Sequence, residues 1–400
     1  MLKFMLSAAW MLLLMNAEAQ VLQGYVKDGI TNEPLVGASV VLREQGQFSI
    51  TDENGYFYFK VSSSGKYEGE IRFVGYKPQL IELSAESNEW ATFLLEEEVV
   101  MTDQVIVSAT RVTDKSPTTY STLHKAALQK QNFGQDLPFA LNWTPSLVTT
   151  SDAGAGVGYT GLRIRGSDAT RINVTINGIP VNDSESQGVF WVNTPDLASS
   201  TQSVQVQRGV GTSTNGAGAF GASVNVQTNT RNDKAYADVV NSFGSFGTLR
   251  NTIAFGTGLI NDKFVFDGRV SQIISDGYID RASADLKSYY LSGGYYGKKT
   301  MVKAIVFGGK EITYQSWYGV PESRLNNDEE AMLETASIEG WNQEQTENLL
   351  ASGRTFNIYT YNNQVDNYAQ DHYQLHTSAS IFRCTYLQCG IALHLWPRVL

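Results

Sequence analysis

Cysteine is almost missing from this chain. There are only two, Cys384 and Cys389, and both fall in the last 17 of 400 residues. Everything before Cys384 therefore has no disulfide framework and no cysteine metal site. Charge is also sparse, at 18% Asp, Glu, Lys and Arg, with a formal net charge of −10 and no cluster of Lys or Arg. A phosphate-binding surface needs a basic patch, so a nucleic-acid partner is excluded. Beyond the N-terminus no run of apolar residues is long enough for a membrane helix, which excludes a helical membrane protein. A β-barrel is not excluded, because its strands alternate and hide from hydropathy. The four histidines (His124, His372, His376, His394) are scattered, and no nucleophile–base motif surrounds them. The expectation is a protein that is not an enzyme and needs no cofactor or resident metal.

What is abundant points to β structure. Glycine (36), Tyr (20) and a total aromatic share of 11% accompany few prolines (9), a composition of extended strands with tight turns. Residues 1–19 read as a secretory signal: Lys3 as the positive n-region, an apolar run from Phe4 to Met15, and Ala17-Glu18-Ala19 as the cleavage site. That run is too short to span a bilayer.

Residues 20–98 show short apolar runs at regular spacing: Val21–Val26, Ala38–Leu42, Tyr56–Val61, Glu70–Val74, Gln79–Leu83 and Ala91–Leu95. Asp28-Gly29 and Asp52-Glu53-Asn54-Gly55 supply turns between them, and this spacing predicts a β-sandwich. The alternation Tyr56-Phe57-Tyr58-Phe59 places rings on both faces. The segment "GYVKDGITNEPLVGASVVLREQGQFSITDENGYFYF" resembles the carboxypeptidase-regulatory-like domain. It matches at Gly24, Val26, Asp28, Pro34, Leu35, Gly37, Ala38, Val40, Thr51, Asp52, Gly55 and Phe57. The resemblance implies a non-catalytic domain.

Residues 99–120 are a linker. Its run Val105-Ile106-Val107-Ser108-Ala109 follows Asp103. Alone it reads equally as an edge strand or as a segment that pairs with another protein's sheet edge, where main-chain hydrogen bonds give affinity. It is similar to the TonB box of TonB-dependent receptors, which implies contacts with TonB through Asp103, Val105, Ile106, Val107, Ser108 and Ala109.

Residues 121–230 carry the most specific signals. Leu123–Lys130 reads as a short helix, and another begins at Leu137. Asn177-Gly178 between Ile172–Ile176 and Ile179–Val181 is a hairpin signal, because both turn positions need φ > 0. Strands Ser203–Gln207 and Ser223–Thr228 flank a glycine-rich stretch. It has no G-K-[ST] and no helical pattern after it, so it is not a phosphate loop. Together these pieces resemble the plug of TonB-dependent receptors. The resemblance is carried by Arg163, Arg165, Gly166, Asn177, Gly178, Arg208, Gly209, Gly218, Gly221 and Asn225. Val210, Asn215 and Ala222 depart from the family pattern.

Residues 231–382 turn to longer alternating strands: Ala235–Phe243, Thr248–Gly258, Lys263–Ser275, Leu286–Tyr296, Thr300–Lys310 and Asp371–Phe382. Apolar-out, polar-in alternation and tight turns opposite longer loops are the signature of an outer-membrane barrel. Tyr278, Tyr314, Trp317 and Tyr318 fall in the longer connections. They serve equally as ligand contacts or as interfacial anchors. The tail 383–400 reads as aberrant, without strand alternation. About six strands cannot close around a plug, whereas the family's barrels have about 22. The expectation is a truncated copy, with a frameshift or gene break near Phe382–Cys384.

The whole reads as mainly β: an N-terminal β-sandwich, an α+β plug, and the first strands of an incomplete transmembrane antiparallel barrel in the cell outer membrane. The resemblance implies active uptake of a scarce nutrient, with a ferric siderophore or iron chelate as first expectation. A SusC-like glycan or peptide importer is the alternative, and a non-transporting periplasmic binding or signalling fragment is a reading of another class. Implied partners are TonB, an extracellular small-molecule ligand, outer-membrane lipid and a possible surface lipoprotein.

Overall fold

The computed structural model describes residues 20–43, 45–85, 90–96, 111–113, 116–210, 219–297, 300–382 and 385–395. The signal segment, the TonB-box residues 103–109 and Gly218 lie outside the described residues. The chain divides into two compact units, Met1–Val100 and Met101–Leu400.

The first unit is built from β1 (Gln20–Asp28), β2 (Ser39–Leu42), β3 (Gln47–Ile50), β4 (Tyr56–Val61), β5 (Lys66–Arg72), β6 (Gln79–Ser84) and β7 (Ala91–Leu95). They form two sheets, ordered β4-β1-β7 and β3-β2-β5-β6. Leu22, Val26, Val40, Leu42, Phe57, Phe59, Ile71 and Leu95 are buried in one core. The expected two-faced alternation holds: Phe57 and Phe59 point inward, and Tyr58 is exposed. One correction and one addition follow. The fifth strand spans Lys66–Arg72, not Glu70–Val74: Tyr67, Gly69 and Ile71 alternate inward, and the chain then turns at Gly75 (φ 85°), leaving Val74 in solvent. The short edge strand β3 shows no inward apolar alternation, since Phe48 and Ile50 are both exposed.

The second unit opens with the plug. Its elements are β8 (Tyr120–His124), α1 (Lys125–Gln131), α2 (Leu137–Ala140), β9 (Leu147–Ser151), β10 (Thr160–Ile164), β11 (Ile172–Ile176), β12 (Ile179–Pro180), β13 (Thr201–Arg208) and β14 (Ala222–Thr228). Five of them form a sheet ordered β12-β11-β14-β13-β8, while β9 and β10 pair separately. The predicted helix over 123–130 is shorter than expected. Leu123 and His124 belong to β8, where Leu123 sits opposite Val204 in an antiparallel ladder. The Asn177-Gly178 hairpin is present, with φ of 55° and 81°.

Seven antiparallel strands follow: β15 (Tyr236–Phe243), β16 (Leu249–Gly256), β17 (Phe264–Ser275), β18 (Ala284–Tyr296), β19 (Thr300–Tyr314), β20 (Val365–Phe382) and β21 (Thr385–Leu395), each paired to the next. The tail is thus a seventh strand. Leu387, Cys389, Ile391 and Leu393 alternate with Gln388, Gly390, Ala392 and His394. The long connection is also more ordered than its polar composition implied. Residues 315–364 carry α3 (Glu322–Leu325), α4 (Glu329–Ile338) and α5 (Gln343–Ala351) around Met332, Leu349 and Phe356. The two faces of this sheet, here called the wall, differ in polarity. Ile253, Phe255, Phe266, Val270, Leu291, Leu375 and Leu393 are exposed on one side. Arg250, Asp267, Arg269, Ser271, Lys303, Glu311, His372 and Gln374 are buried on the other. Apolar side chains on the open face and polar side chains packed against the plug are the alternation expected of outer-membrane barrel strands.

Candidate functional site

Two regions of the second unit gather the candidate functional residues: the joint between plug and wall, and an aromatic cluster, here called the apex, around Tyr159, Phe190 and Trp317. The joint centres on Asp196, which the sequence reading missed. Asp196 sits at φ 53°, a left-handed conformation tolerated by Asp, so its carboxylate turns toward the wall. Oδ2 accepts from Thr252 Oγ1 at 2.8 Å and Ser271 Oγ at 2.5 Å, and lies 3.3 Å from the Arg269 guanidinium. Oδ1 accepts from Ser199 Oγ at 2.6 Å and Asn132 Nδ2 at 3.1 Å, with Arg250 Nε at 3.2 Å. Burial alone pushes this carboxyl up. The Arg269 and Arg250 charges and the serine hydroxyls outweigh that and hold it below the usual carboxylate range.

Further polar rungs join plug to wall. Asn177 Nδ2 donates to Gln374 Oε1 at 3.0 Å, Tyr290 OH to Thr228 Oγ1 at 3.0 Å, and Lys303 Nζ to the Asn229 carbonyl at 2.7 Å. At Gly309 the wall comes so close that a Cβ would lie 2.4 Å from Pro195 Cδ and 2.7 Å from the Asn193 carbonyl.

The plug-motif residues fall into two groups. Arg165, Gly166, Arg208, Gly209 and Gly221 share a corner. Arg165 Nη1 donates to the Arg208 carbonyl at 3.3 Å, and Gly209 N to the Gly221 carbonyl at 3.0 Å. A Cβ on Gly221 would lie 2.7 Å from both the Arg171 carbonyl and Ser167 Cβ, so the corner closes only with glycine there. Asn177, Gly178 and Asn225 form the second group. Asn177 Oδ1 accepts from Thr228 N at 2.9 Å, and Asn225 Oδ1 from Thr175 Oγ1 at 2.7 Å. Arg163 joins neither and is exposed on β10.

Arg111, directly after the box segment, was not singled out by the sequence. Its guanidinium donates to Ser203 Oγ at 2.9 Å and to the carbonyls of Ser203 (3.0 Å) and Asn225 (2.8 Å). Next to it, Val112 and the Gln205 side chain exchange two hydrogen bonds. The linker is thereby tied to the middle of the plug sheet.

At the apex, Tyr159 from the plug meets Trp317 edge-on at 5.2 Å and Phe190 at 6.5 Å. Its hydroxyl donates to the Asp366 carboxylate. Trp317 and Phe190 remain about half exposed, and Glu311 is buried beneath. Of the predicted ligand-loop residues, Trp317 belongs to this cluster. Tyr318 packs on Trp341 at 5.4 Å and Tyr278 on Phe246 at 5.6 Å, both partly exposed. Tyr314 is a correction: it is buried, and its hydroxyl donates to the Tyr359 and Tyr361 carbonyls, bracing the loop from below.

Asp136, at the start of α2, is fully buried in the plug. Thr160 Oγ1 donates to Oδ2 at 2.9 Å, while Oδ1 is buried without a partner. Burial pushes this carboxyl up to about 8 and that of Asp152 up to about 6. Asp136 is therefore protonated in the folded state at neutral pH, whereas the unfolded chain has released that proton. This raised group favours the fold fully below its unfolded value near 4 and loses that contribution as pH rises toward 8. The expected result is that Asp136→Asn raises the urea midpoint at pH 8 more than at pH 4 and flattens the slope between them. An unchanged slope would remove Asp136 as its source.

Comparison with known proteins places both units. Residues 22–107 match the CarboxypepD_reg-like domain family, and residues 112–223 match the TonB-dependent Receptor Plug Domain family. No curated protein matches the chain. Among solved structures, the chain is similar to the ferric-catecholate import receptor Fiu from E. coli K12 in its open form. There the TM-score is 0.53 at 18% identity, covering 69% of this chain and 38% of that one. It is also similar to P. aeruginosa FpvA bound to a heterologous pyoverdine, with a TM-score of 0.52 at 13% identity, covering 75% of this chain and 38% of that one. The chain thus spans less than half the length of these structures, and at such identities the likeness is one of fold.

Proposed function

We propose that this chain, which carries the plug domain of TonB-dependent receptors behind a CarboxypepD_reg-like domain, serves the energised uptake of a scarce small ligand. Receptors of this kind are outer-membrane proteins, and the cell outer membrane is where the chain belongs. The observation that carries the reading is the plug's construction. It is a separate sheet seated against the polar side of a membrane wall through side-chain rungs rather than shared strands. A body held in this way can shift without unfolding the wall.

In this reading the ligand settles on Tyr159, Phe190 and Trp317, and TonB engages Asp103 and Val105–Ala109. A ferric siderophore or iron chelate is the first ligand class, and siderophore receptors share the fold. A specific observation favours the second class, a glycan or peptide. The apex carries Asp152 and Asp366 next to its rings, a lining better matched to hydroxyl or amine donors than to an anionic chelate. The test is uptake by cells of the source bacterium with this gene disrupted or restored, using radiolabelled ferric chelates and labelled oligosaccharides or peptides. TonB-dependent accumulation of one class that requires the gene is expected, and accumulation unaffected by the gene sinks the reading. Trp317→Ala is expected to weaken binding of the accumulated ligand about tenfold, the scale of losing one partly exposed aromatic contact.

A further inference from the structure

The outer face of the β4-β1-β7 sheet has no part in the proposed transport. Its outward positions read Val21, Gln23, Tyr25 and Lys27 on β1, Tyr56, Tyr58 and Lys60 on β4, and Thr92 and Leu94 on β7. The register places Tyr25 opposite Tyr56, Gln23 opposite Tyr58, and Val21 opposite Lys60. Trp90, just before β7, lies nearly parallel to Tyr25, with ring centroids 5.3 Å apart and planes 16° apart. Tyr56 contacts Trp90 at 5.5 Å and lies 20° from the plane of Tyr58. The result is a continuous row of four rings, of which Tyr58 and Trp90 are more than half exposed. A folded domain has no packing need to gather its largest rings on its solvent face.

Charge narrows the occupant. Residues 20–98 hold 13 Asp and Glu against 6 Lys and Arg. Yet no outward position on these three strands is acidic, and two are lysines. Lys27 lies over the Tyr25 ring and Lys60 ends the row, about 20 Å apart by strand rise. Asp52, in the turn before β4, is occupied by the backbone N–H groups of Asn54 and Tyr56. Beside β4 the row adjoins an open, shallow depression lined by Gln47, Phe48, Ser49, Tyr58 and Lys60. An extended ligand with stackable rings and anionic groups fits this face. Sugar rings present flat C–H faces to aromatics, and carboxylates complement the lysines.

We infer that this face binds a carboxylate-bearing glycan strand of the cell wall, anchoring the first unit in the periplasm. The inference rests on the proposed function, in which TonB reaches Asp103–Ala109 from the periplasm and the adjoining residues 20–98 lie on that side. The test is co-sedimentation of the full-length chain, purified in detergent, with purified wall sacculi, using chitin and cellulose as neutral controls. The wild type is expected to sediment with sacculi and not with the neutral glycans. Tyr25→Ala with Trp90→Ala is expected to weaken binding at least tenfold. Lys27→Gln with Lys60→Gln is expected to weaken it severalfold and to abolish its salt dependence. Tyr58→Ser, at a fully outward position, serves where the ring pair disturbs folding as judged by thermal unfolding. No sedimentation, equal sedimentation of the ring variants, or binding that survives enzymatic removal of the glycan would overturn the inference. A chain that imports normally and does not sediment refutes this inference alone. One that sediments and imports nothing refutes the transport reading alone.

Discussion

Asp196→Ala is expected to lower the stability of the second unit by about 3–5 kcal/mol, because it strands two buried guanidiniums. Arg250 and Arg269 are each about 5% exposed at the side chain, and Asp196 not at all, so water cannot replace the lost carboxylate. The hydroxyls of Ser271 and Thr252 lose their acceptor in the same step. Alanine also fits the left-handed backbone at this position poorly, whereas asparagine tolerates it. Asp196→Asn therefore separates charge from backbone: it retains the conformation and some hydrogen bonds while removing the negative charge. Adding Arg250→Met and Arg269→Met to Asp196→Ala is expected to recover part of the loss, because the uncompensated charges go with the arginines. The measurement is the urea midpoint in detergent at constant slope. A midpoint for Asp196→Ala within error of wild type would show that the joint contributes little.

Deleting Asp103–Ala109 is expected to abolish energised uptake while leaving ligand binding within about twofold, since the apex residues are distant in sequence and chemistry from the segment removed. Arg111→Ala should give a milder form of the same split. Its guanidinium makes three hydrogen bonds to the plug sheet, and burial lowers its basicity to about 10, so it is held there by geometry at some electrostatic cost. Uptake should fall several-fold with unchanged ligand affinity, and Arg111→Lys should restore little, because one ammonium cannot reproduce the planar fork in which Nη1 serves Ser203 Oγ while Nη2 serves both carbonyls. Transport and equilibrium binding measured in parallel decide this. Retained uptake in the deletion refutes the box assignment, and parallel loss of binding in Arg111→Ala refutes its role as a tie.

Features set by neighbours in sequence were legible in advance. The Asn177-Gly178 turn needs two left-handed residues and names itself. The wall strands declare their two faces by alternation: Phe264, Phe266 and Val270 are exposed, and Val265, Asp267, Arg269 and Ser271 buried. Where the pattern was short or masked by composition, the reading slipped. Leu123 and His124 fit a helix as well as a strand until the pairing with β13 decides. The tail's two cysteines and lack of acidic residues mask the alternation of the strand that pairs with β20. The functional residues were hidden for another reason. Arg111 reaches Asn225 across 114 positions, and Asp196 reaches Ser271 across 75. No spacing rule covers such partners, because topology brings them together.

The strand order of the plug sheet has a mechanical consequence. Among the described residues β8 is an edge strand, bonded on one side only, and the chain enters it at its N-terminal end, with one more rung from Arg208 N to the Thr119 carbonyl. Traction entering there loads the ladder end-on, so its rungs part singly, as in a zipper, after the Arg111 clasp has let go. β14 is bonded on both flanks, to β11 and β13, and would have to be sheared with all its rungs loaded at once. The sheet is therefore soft along one margin and stiff at its centre, with the yield point set at the margin nearest the handle.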